Sequence, residues 1–242
     1  MSFPVVTADL LETIATTRAA GREPVVVFDL DSTLYDDRLR TLRILHGFAY
    51  ENATTRPDFL AAASKIGIAD MPYRVLDAVR QMGFDDPALL SEVLAYWRSR
   101  FFTSEYVPYD LPTPGAAQYM QLVIDSGALA VCLTGRAAKP MLAGTIATMQ
   151  RDGLPVGSLG CRLILKPETT DTDDVFKAKV IDRLKGSASI VAAFDNEPGI
   201  CNTIQLACPD ALVFHMATTW SPGAPALLPD VHVIADFVAL LG

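Results

Sequence analysis

The sequence lacks the patterns that would indicate a membrane protein, a zinc site or a disulfide scaffold. No apolar run approaches the ~20 residues that a membrane span requires. The 4 cysteines, at 132, 161, 201 and 208, form no Cys-x-x-Cys pair, which argues against a zinc site and, in a chain of this size, against a disulfide framework. No basic segment followed by an apolar run opens the chain, so we expect no signal peptide and a reduced, cytoplasmic protein.

Positive charge is also scarce. The chain has 20 lysines and arginines against 28 aspartates and glutamates, a formal net charge of −8. This balance argues against broad electrostatic binding to nucleic acid or to an anionic membrane. An acidic protein can still bind a phosphate group, but it then needs a local cation. The 242 residues suffice for one large domain or for a domain with an insertion, and 50% of them are hydrophobic, as in an ordinary globular protein.

Five short apolar segments, several rich in β-branched residues, predict β-strands at 25–30, 128–134, 161–166, 189–195 and 211–216. Helical patterns lie between most of them. Near-continuous apolar strands that alternate with helices are typical of a parallel sheet covered by helices on both faces. The predicted fold class is therefore α/β, with three layers.

One long interval, residues 35–109, interrupts this alternation. It contains helical patterns and no convincing strand. A helical stretch of this length directly after the first strand indicates an inserted subdomain or lid rather than a simple crossover. We therefore predict a core domain made of residues 1–34 and 110–242, with a helical subdomain at 35–109.

Polar residues follow three of the predicted strands. Asp29 and Asp31 end the first, Thr134 ends the second and Asp195 ends the fourth. Ligands of open parallel sheets bind beyond the carboxyl ends of the strands, so these side chains are expected at one crevice. Each could instead cap a helix, a common role for Asp and Thr.

The pair Asp29 and Asp31 has a spacing suited to catalysis. Residues two apart on a strand project to the same side, ~6.6 Å apart. Two such carboxylates could flank a substrate group, one attacking it while the other handles a proton, and their repulsion would separate their pKa values. The alternative is a metal-binding or capping pair without catalysis.

Three motifs in order carry a resemblance to a known family. "DLDSTL" resembles the first motif of the haloacid dehalogenase-like (HAD) phosphohydrolase superfamily, "CLTGR" its second and "AAFDNEPG" its fourth. They cover roughly residues 24–34 and 110–220. The resemblance implies a Rossmann-like three-layer core with a helical cap between the first two motifs, where such a cap can close over the site and exclude water.

The same resemblance implies roles for single residues. Asp29 would attack phosphorus, and Asp31 would protonate the leaving alkoxide and then activate water. Thr134 would hold phosphoryl oxygens, with Gly135 and Arg136 beside it in the phosphate-binding segment. Arg136 could equally pair with an acidic residue.

The resemblance also implies a cofactor, Mg²⁺. Asp29, Asp195 and the backbone carbonyl of Asp31 would bind it, since magnesium prefers oxygen ligands and needs few carboxylates. The family often has an acidic residue at the position of Asn196. We therefore expect Glu197 to make at most a water-mediated contact with the metal, and Asn196 to orient a carboxylate.

The third motif of the family is a lysine with little local definition. The segment "TDDVFKAKVIDRL" resembles the corresponding part of the phosphatase halves of polynucleotide kinases, which favours Lys177 for catalysis and phosphate binding. Lys166 is the second candidate. Lys179 is the third, because ~100° per residue places it about 200° around the helix from Lys177.

The function that this sequence predicts is a Mg²⁺-dependent phosphatase acting on a small phosphorylated metabolite. Dehalogenase relatives lack the second aspartate of the first motif, so Asp31 implies an oxygen leaving group that needs a proton. A nucleotide or nucleic-acid-end phosphatase, a phosphomutase and a non-catalytic metal-binding protein remain alternatives. The sequence leaves the substrate and the oligomeric state open. Candidate substrate contacts in the insertion are Arg40, Arg43, His46, Arg74, Tyr96, Trp97 and Arg98.

Overall fold

The computed structural model describes residues 4–167 and 171–242. The chain divides into two compact units. The core unit contains Met1–Asp36, Pro112–Lys139 and Met149–Gly242, and the helical unit contains Asp37–Leu111 and Pro140–Thr148. No helix in the described ranges has the length and apolar character needed to cross a membrane.

The described elements alternate along most of the chain. The strands are β1 (Pro24–Phe28), β2 (Tyr35–Asp36), β3 (Leu111–Pro112), β4 (Leu129–Ala137), β5 (Cys161–Lys166), β6 (Ser189–Asp195), β7 (Leu212–Met216) and β8 (His232–Ile234). The helices are α1 (Val5–Ala19), α2 (Arg38–Glu51), α3 (Pro57–Ala63), α4 (Val75–Gln81), α5 (Pro87–Phe101), α6 (Ala116–Asp125), α7 (Ala138–Arg151), α8 (Asp173–Lys185), α9 (Pro198–Ala207) and α10 (Val238–Leu241).

The main sheet has the strand order β5-β4-β1-β6-β7-β8. Every neighbouring pair in it is parallel, which confirms the predicted α/β class with a parallel sheet. Strand β8 was not predicted. It is short, lies at the edge of the sheet and has largely exposed residues, so its sequence lacks the apolar run that marks a buried strand.

Strand β1 shows why the sheet has helices on both faces. All five of its residues are buried. Val26 and Phe28 join the apolar cluster that includes residues of α1, α6 and α10. Val25 and Val27 join the opposite cluster, which includes residues of α8 and α9. Because alternate residues of a strand face opposite ways, one apolar run supplies both layers, and the predicted three-layer architecture is confirmed.

The ends of two strands differ from the sequence prediction. Strand β1 ends at Phe28, two residues earlier than expected. Strand β4 continues past Thr134 to Ala137, with a break in register because Thr134 pairs with Leu165 and Ala137 with Lys166. Gly135 and Arg136 therefore bulge out of the ladder. Such bulges redirect a side chain next to a functional site.

The residues at both ends of helix α8 favour helix formation there. The Thr172 side chain accepts a hydrogen bond from the backbone N–H of Val175, aspartates occupy the first turn, and basic residues occupy the last turn. These features favour a helix at this place through capping and the helix dipole. Its buried side chains include Phe176, Lys177 and Val180, so a lysine lies on the face that packs inward.

The helical unit has its own apolar core, drawn mainly from α2 to α5. It also contains residues 140–148 of α7, which the sequence-based boundaries assigned to the core. The physical reason is a close backbone approach: a Cβ atom on Gly144 would lie 2.5 Å from the carbonyl oxygen of Ser104. Ser104 also donates its backbone N–H to the carbonyl oxygen of Pro140 over 2.8 Å.

A buried ion pair joins the two ends of the insertion. Arg40 Nε lies 2.8 Å from Asp110 Oδ1, and both side chains are fully buried. The Arg40 guanidinium also lies 3.9 Å above the ring of Phe101. Arg40 was a candidate for substrate contact, but its burial in this arrangement gives it a structural role. Trp97, another candidate, stacks on Phe101 at 4.3 Å.

We expect Asp110→Ala to destabilise the helical unit by about 3–5 kcal/mol, because it leaves the charge of Arg40 buried without its carboxylate. The chain has 2 tryptophans, so in a Trp220→Phe background the fluorescence of Trp97 reports urea unfolding of this unit alone.

The matched control is Asp85→Ala, which removes an exposed ion pair with Arg80 and should cost at most about 1 kcal/mol. Equal losses for the two variants would show that the buried pair has no special importance.

Candidate active site

The carboxyl ends of β1 and β6 bring two aspartates together. Asp29 directly follows β1, and its backbone N–H donates to the carbonyl oxygen of Phe194 over 2.9 Å. Asp195 is the last residue of β6. Lys177 joins them, since its Nζ lies 2.8 Å from Asp29 Oδ1 and 2.7 Å from Asp195 Oδ2. All three side chains are buried.

This cluster holds two carboxylates and one ammonium group away from water. Burial raises the pKa of Asp29 to about 8, although Lys177 opposes the change and Asp195 adds to it. Burial also raises the pKa of Asp195, again against Lys177. Burial by itself would lower the pKa of Lys177, but the two carboxylates outweigh it and keep the lysine charged. With both carboxyls ionised the cluster would have one negative charge more than its lysine balances, and the raised pKa of Asp29 keeps a proton there instead.

A divalent cation would balance both ionised carboxylates in place of that proton. The available donors are carboxylate oxygens, which Mg²⁺ prefers, and one or two carboxylates are enough because magnesium keeps several waters. Residues 4–167 and 171–242 contain no group of three or more His, Cys, Asp or Glu that could hold a metal ion.

The three candidate lysines have different surroundings. Lys177 contacts both buried aspartates. Lys166 instead forms an ion pair with Asp173. Lys179 is largely exposed and pairs with Asp171 at 2.9 Å. Of the three, Lys177 is the one whose charge lies between Asp29 and Asp195.

The bulge in β4 positions the second group of predicted residues. Thr134 is buried, and its Oγ1 accepts a hydrogen bond from the backbone N–H of Arg136 over 3.2 Å. Gly135 packs against the N-terminus of α8, where a Cβ atom would lie 2.2 Å from Asp173 Oδ2. Only glycine fits there without displacing that carboxylate.

Arg136 makes a two-pronged ion pair with Asp31. Its Nε donates to Asp31 Oδ2 over 2.9 Å and its Nη2 donates to Asp31 Oδ1 over 2.7 Å. The arginine side chain is buried, whereas that of Asp31 is 30% exposed. Of the two interpretations of Arg136 that the sequence allowed, this geometry matches pairing with an acidic residue. A planar guanidinium that binds both oxygens fixes the direction of the carboxylate.

The residues after Asp195 have partners that the sequence did not reveal. Asn196 Nδ2 donates to the carbonyl oxygen of Thr219 over 2.6 Å, instead of orienting a carboxylate. Glu197 accepts from the backbone and the hydroxyl of Ser221. Thr219 also lies 2.9 Å from the hydroxyl of Ser32. Sequence reasoning overlooked Thr219 and Ser221. Both follow β7, so the expectation of polar groups at strand ends would have found them.

Comparisons with known proteins identify the fold. No protein-family model matches the chain, and no curated protein matches it in sequence. Solved structures do match. A HAD-superfamily hydrolase of subfamily IA from Geobacter sulfurreducens aligns at a TM-score of 0.52 and 12% identity, covering 91% of this chain and 97% of that one. The chain has the haloacid dehalogenase-like hydrolase fold.

Two further matches among solved structures show how far that likeness extends. A haloacid dehalogenase-like family hydrolase from Streptococcus pneumoniae aligns at a TM-score of 0.51 and 11% identity, over 92% of this chain and 98% of that one. Protein tyrosine kinase A of Mycobacterium tuberculosis aligns at 0.56 and 13% identity, over 90% and 96%. These neighbours carry different activity names, so the HAD-like fold by itself leaves the reaction of this chain undecided.

The raised pKa of Asp29 predicts a pH dependence of stability in the metal-free protein. A carboxyl whose folded pKa of about 8 exceeds its ordinary value of 3.8 stabilises the fold below about pH 4, and that contribution is lost as the pH rises to about 8. Between about pH 5 and pH 8 we expect the free energy of unfolding to fall by about 2–4 kcal/mol more in the wild type than in Asp29→Asn. This follows from about 1.36 kcal/mol per pKa unit.

Urea unfolding at a series of pH values measures this difference, and Asp182→Asn, on the exposed side of α8, should follow the wild type. Parallel curves for the wild type and Asp29→Asn would contradict the assignment of the raised pKa.

Proposed function

We propose that this chain is a phosphate monoester hydrolase that acts on a small phosphorylated metabolite through an aspartyl-phosphate on Asp29. The observation that carries the proposal is the cluster of Asp29, Lys177 and Asp195 at the carboxyl ends of β1 and β6. Asp31, two residues after Asp29, and its ion-pair partner Arg136 complete the arrangement.

In the proposed reaction, an Asp29 carboxylate oxygen forms a bond to phosphorus while the bond to the leaving alkoxide breaks. Asp31 gives its proton to that alkoxide. It then takes a proton from a water molecule, whose oxygen attacks phosphorus and releases Asp29 and inorganic phosphate. The two steps replace one difficult displacement with two easier ones.

Lys177 and Mg²⁺ supply positive charge in this proposal. Lys177 already contacts Asp29 and Asp195, and it would offset negative charge on the transferring phosphoryl group. Mg²⁺ held by Asp29, Asp195 and the Asp31 carbonyl would keep Asp29 ionised and neutralise part of the phosphate charge. Lys177 and the bound Mg²⁺ would be the local positive charges that a chain with a net charge of −8 needs to bind an anion.

Arg136 binds both carboxylate oxygens of Asp31. In the proposed reaction Asp31 carries a proton before the first step, because it protonates the leaving alkoxide. We propose that the guanidinium acts chiefly by holding the direction of Asp31 and is a positioning residue.

Hydrolysis assays test the proposed activity. With p-nitrophenyl phosphate and a panel of sugar phosphates, nucleotides and DNA 5′-phosphate ends, we expect Mg²⁺-dependent release of phosphate from small substrates. Asp31→Asn should lower kcat by about 10²–10⁴-fold, and Asp29→Asn should abolish turnover and the trapping of a labelled phosphoryl group on the protein. Asp182→Asn, an exposed carboxylate on α8, is the matched control.

Several outcomes would change this proposal. Full activity in Asp29→Asn would exclude the aspartyl-phosphate. Preference for polymer ends would indicate the nucleic-acid alternative, and return of the phosphoryl group to substrate would indicate a phosphomutase. A folded protein that binds Mg²⁺ and hydrolyses nothing in the panel would favour a non-catalytic binding protein.

Arg136→Lys separates the two roles of the arginine. Lysine keeps the charge but not the two-pronged geometry. If Arg136 positions Asp31, kcat should fall by about 10–100-fold while KM stays nearly constant. A large rise in KM with kcat preserved would instead show that Arg136 binds the phosphate group of the substrate. Arg162→Lys, an exposed arginine on the neighbouring strand β5, should change neither constant.

A further inference from the structure

Ser32, next to Asp31, has an unusual backbone conformation. Its φ is +56°, and among the described residues no other non-glycine residue has a positive φ. The left-handed region is disfavoured for residues with a Cβ atom, and such a conformation persists only when its surroundings hold it. Because Ser32 directly follows Asp31, its conformation helps to set the course of the chain that carries the Asp31 side chain.

Two threonines from a distant part of the chain hold Ser32. The hydroxyl of Thr218 donates to the carbonyl oxygen of Ser32. The hydroxyl of Thr219 lies 2.9 Å from the hydroxyl of Ser32. Both threonines belong to a segment directly after β7, residues 217–221, which we call the 217–221 loop. Ser32 itself is buried, and both of these contacts are partly buried.

The 217–221 loop is itself attached to the segment that follows Asp195. Its Thr219 carbonyl oxygen accepts from Asn196 over 2.6 Å. Its Ser221 hydroxyl donates to Glu197 over 2.6 Å. The ring of Trp220 packs edge-on against His215, with 5.1 Å between the ring centres. One short loop thus joins the chain after Asp31 to the chain after Asp195.

We propose that the 217–221 loop positions Asp31 for the reaction, with Thr218 and Thr219 as the residues that stabilise the left-handed Ser32. The inference rests on the proposed function, since it concerns the direction of the proposed acid and base. Arg136 fixes Asp31 from the side-chain end, and the loop fixes it from the backbone end. Without the threonine hydroxyls, Ser32 would relax and Asp31 would leave its productive direction.

The principal test removes each hydroxyl at nearly constant side-chain shape. In Thr218→Val and Thr219→Val we expect kcat to fall by about 10–100-fold, since small misplacements of a reacting group have effects of that size. KM should change by less than about threefold, because neither threonine is assigned to substrate binding. Thr218→Ser keeps a hydroxyl and should restore most of kcat. Thr13→Val on α1, whose hydroxyl bonds within its own helix, should behave as the wild type.

A double variant identifies the mechanism of the effect. Glycine adopts a positive φ without strain, so Ser32→Gly should make the threonine hydroxyls less necessary. We expect Thr218→Val to lower kcat by less than about threefold in the Ser32→Gly background, compared with about 10–100-fold in the wild-type background. Equal losses in the two backgrounds would overturn the proposal that Thr218 acts through the conformation of Ser32.

A readout that needs no activity separates this inference from the proposed function. The Arg136 Nε–H donates to Asp31, so its exchange with solvent, followed by NMR in the metal-free protein, reports whether Asp31 is in place. We expect exchange about tenfold faster or more in Thr218→Val, with circular dichroism confirming that the variant is folded. Thr219→Val gives the same test if Thr218→Val does not fold.

The combined results have defined meanings. Unchanged exchange in both threonine variants overturns the inference, as does faster exchange with an unchanged kcat in an active enzyme. Faster exchange together with a lower kcat supports it. If the wild type hydrolyses no substrate while exchange still quickens in the variants, the proposed function fails but the loop is shown to hold Asp31.

Discussion

The site depends on two buried carboxylates that share one ammonium group. Asp29 and Asp195 end adjacent parallel strands, and Lys177 reaches both from α8. Buried charges are costly unless they are paired, so the strands, the capped helix and the lysine form one interdependent arrangement. Burial raises the pKa of Asp29 to about 8, and the charge of Asp195 adds to this rise, so a cation that balances both ionised carboxylates is expected at this point of the sheet.

The HAD-like fold supplies the place for chemistry but leaves its nature open. Structural neighbours include hydrolases and a protein named as a tyrosine kinase, so a phosphatase activity can be inferred only from the side chains of the site. In this chain the side chain and the backbone of Asp31 are each held by other residues. A buried arginine fixes its carboxylate, and the 217–221 loop holds the strained residue that follows it.

Sequence reasoning succeeded where the signal for an element or a residue lies within a short stretch of the chain. Apolar runs located the strands from β4 to β7 to within a few residues, because burial on both faces of a parallel sheet imposes a continuous pattern. Ordered motifs selected Asp29 and Asp195, and helix spacing distinguished Lys177 from Lys179. The short edge strand β8 was missed because its residues are largely exposed and carry no such pattern.

The sequence by itself determined the α/β class, the polar residues at the strand ends and the helix that carries Lys177, since each follows from hydrophobic periodicity, capping or spacing within a short stretch. The tertiary structure alone decided the partner of Arg136, the left-handed Ser32 and the grouping of residues 140–148 with the helical unit. Those features depend on contacts between segments far apart in the chain: serine has no local preference for a positive φ, and a glycine does not reveal which backbone approaches it.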